Sequence, residues 1–263
     1  MSPPLLAVEH LSKAYGGVHA VQDVSFTLAA GELLAMIGPN GAGKSTCFNM
    51  LNGQVAPDAG QVAISGRDVT GLPPRQVARL GIGRTFQITA TFPSMTVREN
   101  VQVALLAGAG RMNRLAGHAG ASFVAEADEL CRLVGMGHAA GRPAGELAYG
   151  DLKRLELAVA LANKPVLLLM DEPTAGMAPA ERVEMMRLTA DIARESSLGV
   201  LFTEHDMDVV FEHADRVIVL DRGRIIAEGT PAAIRENPAV RATYLGEGLT
   251  FGHAPAAGAR AHA

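Results

Sequence analysis

Short apolar runs alternate with polar, glycine-bearing stretches along the chain. Near the start, residues 5–9, 24–28 and 33–37 read as antiparallel strands, and 61–65 as a further short one. Residues 166–170 (VLLLM) differ, because every position is apolar, between Pro165 and Asp171. A run without polar alternation predicts a central parallel strand buried on both faces. Residues 200–203 and 217–220 have the same character. Between these runs the apolar spacing becomes helical. Ala127, Leu130, Cys131 and Val134 share one face, as do Leu152, Leu155, Val159 and Ala162, and later Val183, Met186 and Ala190. Thr230-Pro231 reads as a helix start, with Thr as cap and Pro in the first turn. Strands alternating with helices predict an α/β fold around a mostly parallel sheet.

Composition narrows the class. With 48% hydrophobic and 19% charged residues among 263, the chain suits one large globular α/β domain or a domain with an appended lobe. A net charge of −4, no Trp and 4% aromatics argue against a nucleic-acid partner. Two cysteines, Cys47 and Cys131, make no disulfide framework; a reducing cytoplasm fits, and both are expected as small buried residues. The first residues lack the pattern of a signal peptide, and no apolar run is long enough to cross a bilayer. Any membrane role is therefore expected to need a partner.

Two segments carry chemistry. Gly38-Pro39-Asn40-Gly41-Ala42-Gly43-Lys44-Ser45-Thr46 matches the G-x-x-x-x-G-K-[ST] loop and follows an apolar strand. Its glycines let successive N–H groups turn inward onto phosphate oxygens at a helix N-terminus. Lys44 is expected at the β- and γ-phosphates and the Ser45 hydroxyl at Mg²⁺. The strand at 166–170 ends in Asp171 and Glu172. Strands often end in solvated acids, but beside a phosphate loop Asp171 is expected to hold Mg²⁺ and Glu172 to act as general base on the attacking water.

Leu147-Ala148-Tyr149-Gly150-Asp151 lies about twenty residues before these acids and is followed by Leu-Lys-Arg-Leu-Glu-Leu-Ala. From about residue 5 to 249 the sequence resembles the ATP-binding cassette (ABC) family, whose Leu-Ser-Gly-Gly-Gln signature sits at this place. The resemblance implies a P-loop NTPase nucleotide-binding domain with a mostly parallel core sheet, an N-terminal antiparallel β subdomain and a helical signature subdomain. It also implies ATP hydrolysis coupled to transport. Two cassettes meet head to tail in that family, so Leu147, Ala148, Tyr149 and Gly150 would cover ATP held by a second cassette, in a homo- or heterodimer. Gln87, in Arg-Thr-Phe-Gln, matches the glutamine that contacts Mg²⁺ and senses the permease; His205, in Thr-Glu-His-Asp-Met, matches the switch histidine; Tyr15 matches the aromatic that stacks on adenine. Alone, each would be an ordinary structural or surface residue.

Within the family, the likeness is to ATPases of branched-chain (hydrophobic) amino acid importers. It rests on Leu-Ala-Tyr-Gly at 147–150, Glu-Pro-Thr-Ala-Gly-Met at 172–177, Glu-His-Asp-Met at 204–207 and the pattern from 229 to 247. Urea and amide importers and lipopolysaccharide-export ATPases share parts of this pattern, so substrate and direction stay open here. The implied partners are transmembrane permease subunits and, indirectly, an extracytoplasmic binding protein, with this chain peripheral on the cytoplasmic face of the inner membrane. Phe86, Gln87 and residues 91–97 lie where the family docks its permease. A soluble cassette ATPase of translation or repair is the rival from another class; it usually carries two cassettes or a long coiled-coil insertion.

One domain is expected over 1–251, with a helical subdomain at about 88–163, a surface loop at about 107–122 and a C-terminal helical extension at about 230–249. Residues 252–263 are expected to be a disordered tail. Three departures from the family pattern stand out: Ala148 for the signature serine, Asp151 for glutamine, and Ala178 for an aspartate. Asp151 is expected to face away from phosphate or to meet Lys153 or Arg154. Ala148 and Ala178 together predict that the composite site formed with this signature is the weaker of two.

Overall fold

The computed structural model describes residues 3–85, 91–109 and 123–245. β1 (Leu6–Tyr15) and β2 (Val18–Leu28) form a hairpin, and β3 (Leu33–Ile37) runs into α1 (Lys44–Leu51). β4 (Ala59–Ile64), β5 (Arg67–Asp68), α2 (Pro74–Arg79) and β6 (Ile82–Thr85) follow. Three helices, α3 (Val97–Gly108), α4 (Val124–Leu133) and α5 (Tyr149–Leu161), come next. β7 (Leu167–Asp171), α6 (Pro179–Ser196), β8 (Gly199–Thr203), α7 (Met207–His213), β9 (Arg216–Asp221) and β10 (Arg224–Gly229) complete the sheet. α8 (Pro231–Glu236) and α9 (Pro238–Leu245) close the described chain.

The strands make two sheets. One is antiparallel, in the order β2-β1-β4-β5. The other has the order β10-β9-β3-β8-β7-β6, parallel throughout except for β10 at its edge. The expectation that residues 33–37 join the N-terminal antiparallel strands is thereby corrected. β3 lies at the centre of the parallel sheet, between β9 and β8. Its five residues are all buried, as a strand covered on both faces requires.

Side-chain alternation divides each central strand between two cores. Leu33, Ala35 and Ile37 of β3, with Leu168, Met170, Val200, Phe202, Val217 and Val219, face the helices α3 to α7. Leu34 and Met36, with Leu167, Leu169, Leu201, Ile218 and Leu220, face α1 and the antiparallel sheet. The predicted helical faces are buried at Ala127, Cys131 and Val134, at Leu155 and Ala162, and at Met186 and Ala190, whereas Val183 is exposed. Burial pushes the Cys47 thiol up to about 12 and that of Cys131 to about 11, as for inert core cysteines.

Helix ends differ in a way that bears on function. Thr96 caps α3 in a reciprocal box, accepting from Glu99 N while its own N–H donates to the Glu99 carboxylate. Asp206 caps α7, and Thr230 caps α8 as read from the sequence. Ala148 and Ala178 occupy the cap positions of α5 and α6 with no side-chain acceptor to offer. At α6 only half of the box exists, the Ala178 N–H donating to Glu181. The predicted loop at about 107–122 begins inside α3, which continues to Gly108. Most of it, residues 110–122, and the predicted tail at 252–263 lie outside the described residues.

Candidate active site

Neighbouring strands β3, β8 and β7 all end at the same edge of the sheet, and their carboxyl ends deliver the site. This is where open α/β sheets take ligands. The loop after β3 turns through Gly41 and Gly43 in left-handed conformations, with φ of 80° and 107°. A Cβ on Gly43 would stand 2.4 Å from the Ala20 carbonyl oxygen, so both backbone angle and space call for glycine. α1 opens immediately afterwards, directing its N-terminal N–H groups into the loop. Lys44 is buried, and its Nζ donates to the carbonyls of Gly38 at 2.6 Å and Pro39 at 3.1 Å.

A cleft of about 330 Å³ opens over this loop. Asn40 to Thr46 line one side, Asp171, Glu172 and His205 another, and Tyr15 the rim, half exposed at the end of β1. A larger hollow of about 520 Å³ lies at Pro39 to Ala42, Asp221 and Arg222, but none of the predicted acids lines it. The smaller cleft is therefore the chemical one.

At the floor, Thr203 Oγ1 donates to Asp171 Oδ1 at 2.7 Å. Arg84 Nη2 lies 3.5 Å from Asp171 Oδ2. Burial pulls the Arg84 guanidinium below its ordinary value, while Asp171 acts in the opposite sense. Glu172 leaves β7 at φ 50°, a strained backbone for a non-glycine residue, held by its N–H donating to Thr203 O and Oγ1 at 3.1 Å each. Its Oε1 lies 3.0 Å from His205 Nε2. A carboxylate only accepts, so Nε2 carries the proton in this contact.

Sequence reasoning missed four supporting residues: Arg84, Thr174, Thr203 and Glu204. Glu204 is buried and accepts from Thr174 N–H at 2.8 Å, Thr174 Oγ1 at 2.6 Å and its neighbour's His205 N–H at 3.2 Å. Burial pushes its carboxyl above the usual range, against the lowering effect of those bonds. It thereby ties the loop carrying Glu172 to the segment carrying His205. The one available signal was Thr203-Glu204 standing beside His205 at the end of an apolar strand.

The signature does not reach this cleft. Leu147, Ala148, Tyr149 and Gly150 sit at the start of α5, with Tyr149 exposed and a Cβ on Gly150 lying only 3.1 Å from the Glu181 carboxylate. The helix includes Tyr149 and Gly150 and so starts three residues before Leu152, the first position of its predicted apolar face. Asp151 meets neither predicted cation. Lys153 turns inward to Glu156 at 3.0 Å, and Arg154 binds Glu184 at 2.9 Å. Asp151 instead stands in the first turn of α5, where the helix dipole favours a carboxylate. Gln87 and Phe86 lie outside the described residues. Among the described residues, no helix is long and apolar enough to cross a membrane.

Comparison with known proteins bears on the whole chain. A family model described as ABC transporter matches residues 21–175, and one described as branched-chain amino acid ATP-binding cassette transporter matches 224–250. The high-affinity branched-chain amino acid transport ATP-binding protein LivG of Salmonella typhimurium is 41% identical over 255 residues, covering 94% of this chain and all of that one. The crystal structure of the ADP conformation of an ATP-binding cassette from an ABC transporter superposes with a TM-score of 0.83 at 29% identity, covering 93% of this chain and 99% of that one. A dimeric post-hydrolysis cassette bound to ADP and phosphate gives 0.73 at 26% identity, covering 86% and 98%.

Proposed function

The chain belongs to the ABC transporter ATPase family, and on that premise we propose that it is the ATP-hydrolysing subunit of a branched-chain amino acid importer, paired with a second cassette. Binding and hydrolysis of ATP follow from the family itself. The amino acid assignment rests on one observation: the C-terminal segment 224–250 matches the branched-chain model within a chain similar to LivG over nearly all its length. Similarity of the fold to a dimeric cassette supports the pairing.

The residues fit the nucleotide. The left-handed loop turns its N–H groups toward phosphate oxygens, Lys44 adds a charged donor, and Tyr15 offers an exposed ring at the rim for adenine. Ser45 and Asp171 line the same cleft and make a donor set of one hydroxyl and one carboxylate, which suits Mg²⁺ alongside phosphate oxygens. Ser45, Asp171 and Gln87 would hold Mg²⁺, which would supply neutralisation of phosphate charge when bound. Glu172 takes the proton of the attacking water. His205 Nε2 holds the Glu172 carboxylate oriented in the open cleft, and the same proton would turn to the γ-phosphate as charge develops there, leaving Glu172 to accept from water.

The cage is incomplete in one chain because the signature lies away from the cleft. A second cassette supplies it, so binding of ATP joins the two and hydrolysis releases them. Ala148 weakens that contribution. Its backbone already has cap geometry, at φ −64° and ψ 158°, and lacks only the hydroxyl. Ala148→Ser adds a helix cap worth about 1 kcal/mol, which corresponds to a melting temperature roughly 2–4 °C higher. It should also raise turnover in the assembled complex; a higher melting temperature with unchanged turnover would discard the weak-site reading.

The transporter reading is tested in cells. Asn100, itself buried, pins the segment before α3, accepting from Phe92 N–H at 2.7 Å and donating to Phe92 O at 3.1 Å. Fixed backbone and a side chain 50% exposed make Phe92 an apolar contact offered to a permease at the cytoplasmic face of the membrane. A strain lacking this chain should lose uptake of labelled leucine, isoleucine and valine. The wild-type chain restores it, and Phe92→Asp restores less than about a tenth while binding ATP normally, as loss of an aromatic anchor at a protein interface implies. Lost urea uptake with leucine uptake intact would move the substrate to amides. Full rescue by Phe92→Asp would remove the docking patch.

A further inference from the structure

Arg84 has no part in the scheme above, yet it sits against its metal-holding acid. At the end of β6 its side chain is only 15% exposed. Nη1 donates to Asn49 Oδ1 of α1 at 2.8 Å and to Gln54 Oε1 at 3.1 Å. Nη2 lies 3.5 Å from Asp171 Oδ2, and Nε is buried without a partner among the described residues. The other oxygen of Asp171 is taken by Thr203 at 2.7 Å. A guanidinium this buried ordinarily closes a bidentate pair with a neighbouring carboxylate. Here two neutral amide oxygens take the shorter bonds and keep the cation at the long end of ion-pair distance. Asp171 lines the cleft whereas Arg84 does not, so the cation approaches the acid from outside the cleft.

We propose that Arg84 is a positioning residue, which orients Asp171 from behind and, by its charge, holds down the affinity of the site for a divalent cation until nucleotide phosphates are present. The proposal rests on the reading of Asp171 as the acid that holds Mg²⁺. Two like charges sharing one carboxylate in a partly buried place repel strongly enough to change affinity severalfold. The phosphates add the negative charge that outweighs Arg84, so metal enters with ATP rather than ahead of it. Asn49 sets the spacing. It lies on the helix that carries Lys44 and Ser45, and it draws the guanidinium away from full contact with Asp171.

The test is Mn²⁺ binding, followed by electron paramagnetic resonance on the full-length protein with and without saturating ADP. Arg84→Gln removes the charge and keeps an amide able to reach Asn49. It should bind Mn²⁺ about three- to tenfold more tightly, with the larger gain in the absence of ADP. Arg84→Lys should match wild type. Asn49→Ala should bind Mn²⁺ more weakly, because the released guanidinium closes on Asp171. Affinity for metal-free ADP, read with a fluorescent analogue, should stay within about twofold of wild type in Arg84→Gln. Unchanged or weaker Mn²⁺ binding in Arg84→Gln, with only a lower melting temperature, would make Arg84 a structural ion pair and overturn the proposal. If that variant does not fold, unchanged Mn²⁺ binding in Asn49→Ala overturns it equally. Asp171→Asn separates the two levels. If it does not weaken Mn²⁺ binding, the assignment of Asp171 fails and takes the proposal with it; if it does while Arg84→Gln equals wild type, the Arg84 role alone fails.

Discussion

Glu172→Gln is expected to lower ATP turnover by about 10²–10⁴-fold, the usual contribution of a positioned general base, while leaving nucleotide affinity nearly unchanged. The amide occupies the same volume and still accepts from His205 Nε2, so the 3.0 Å contact survives. The left-handed backbone at this position is held by Thr203 and does not depend on the carboxylate. What disappears is the oxygen basic enough to take a proton from water. Phosphate release measures turnover, and a fluorescent ATP analogue measures binding. Turnover within a few-fold of wild type would mean that another group activates the water.

Lys44→Ala acts on the opposite term. Its ammonium is buried in the phosphate loop against the carbonyls of Gly38 and Pro39, so it is already in place before any phosphate arrives. Each charge-assisted bond it offers to a phosphate is worth about 1.5–3 kcal/mol, so affinity for ATP should fall by roughly 10- to 150-fold. The loop itself should persist. Its shape depends on glycine angles and on the Gly223 N–H donating to Ala42 O at 2.9 Å, neither of which involves the lysine side chain. Equilibrium titration with the fluorescent analogue, alongside a melting curve, checks this. Unchanged affinity would place the phosphates elsewhere, whereas a collapsed melting curve would make Lys44 a structural residue.

The central strands are visible in the sequence because burial on both faces leaves no polar position in β3 and none in β7 or β8 before their last residues, Asp171 and Thr203. The edge strand β6 is not. Its Ile-Gly-Arg-Thr carries one apolar side chain into the core, and its pairing with β7 comes from a segment more than eighty residues away. Strand direction was equally hidden. Alternation reports which faces are covered and says nothing of the neighbour, so β3 read as antiparallel. In the site, the phosphate loop and the acids after β7 are local patterns and stand out. Arg84, Thr203 and Glu204 are ordinary polar residues until folding brings them to Asp171, Glu172 and Thr174. The pairing of Glu172 with His205 joins residues that no local pattern connects.

The most direct test of the account is to recover what the ATP-bound protein holds. Tagged Glu172→Gln protein, purified with ATP from gently solubilised native membranes and identified by mass spectrometry, traps the assembly because nucleotide is bound and not hydrolysed. Two permease subunits together with a second cassette are expected, and an amino acid-binding protein enriched beside them. Recovery of ribosomal or nucleic-acid partners without any membrane protein would contradict it.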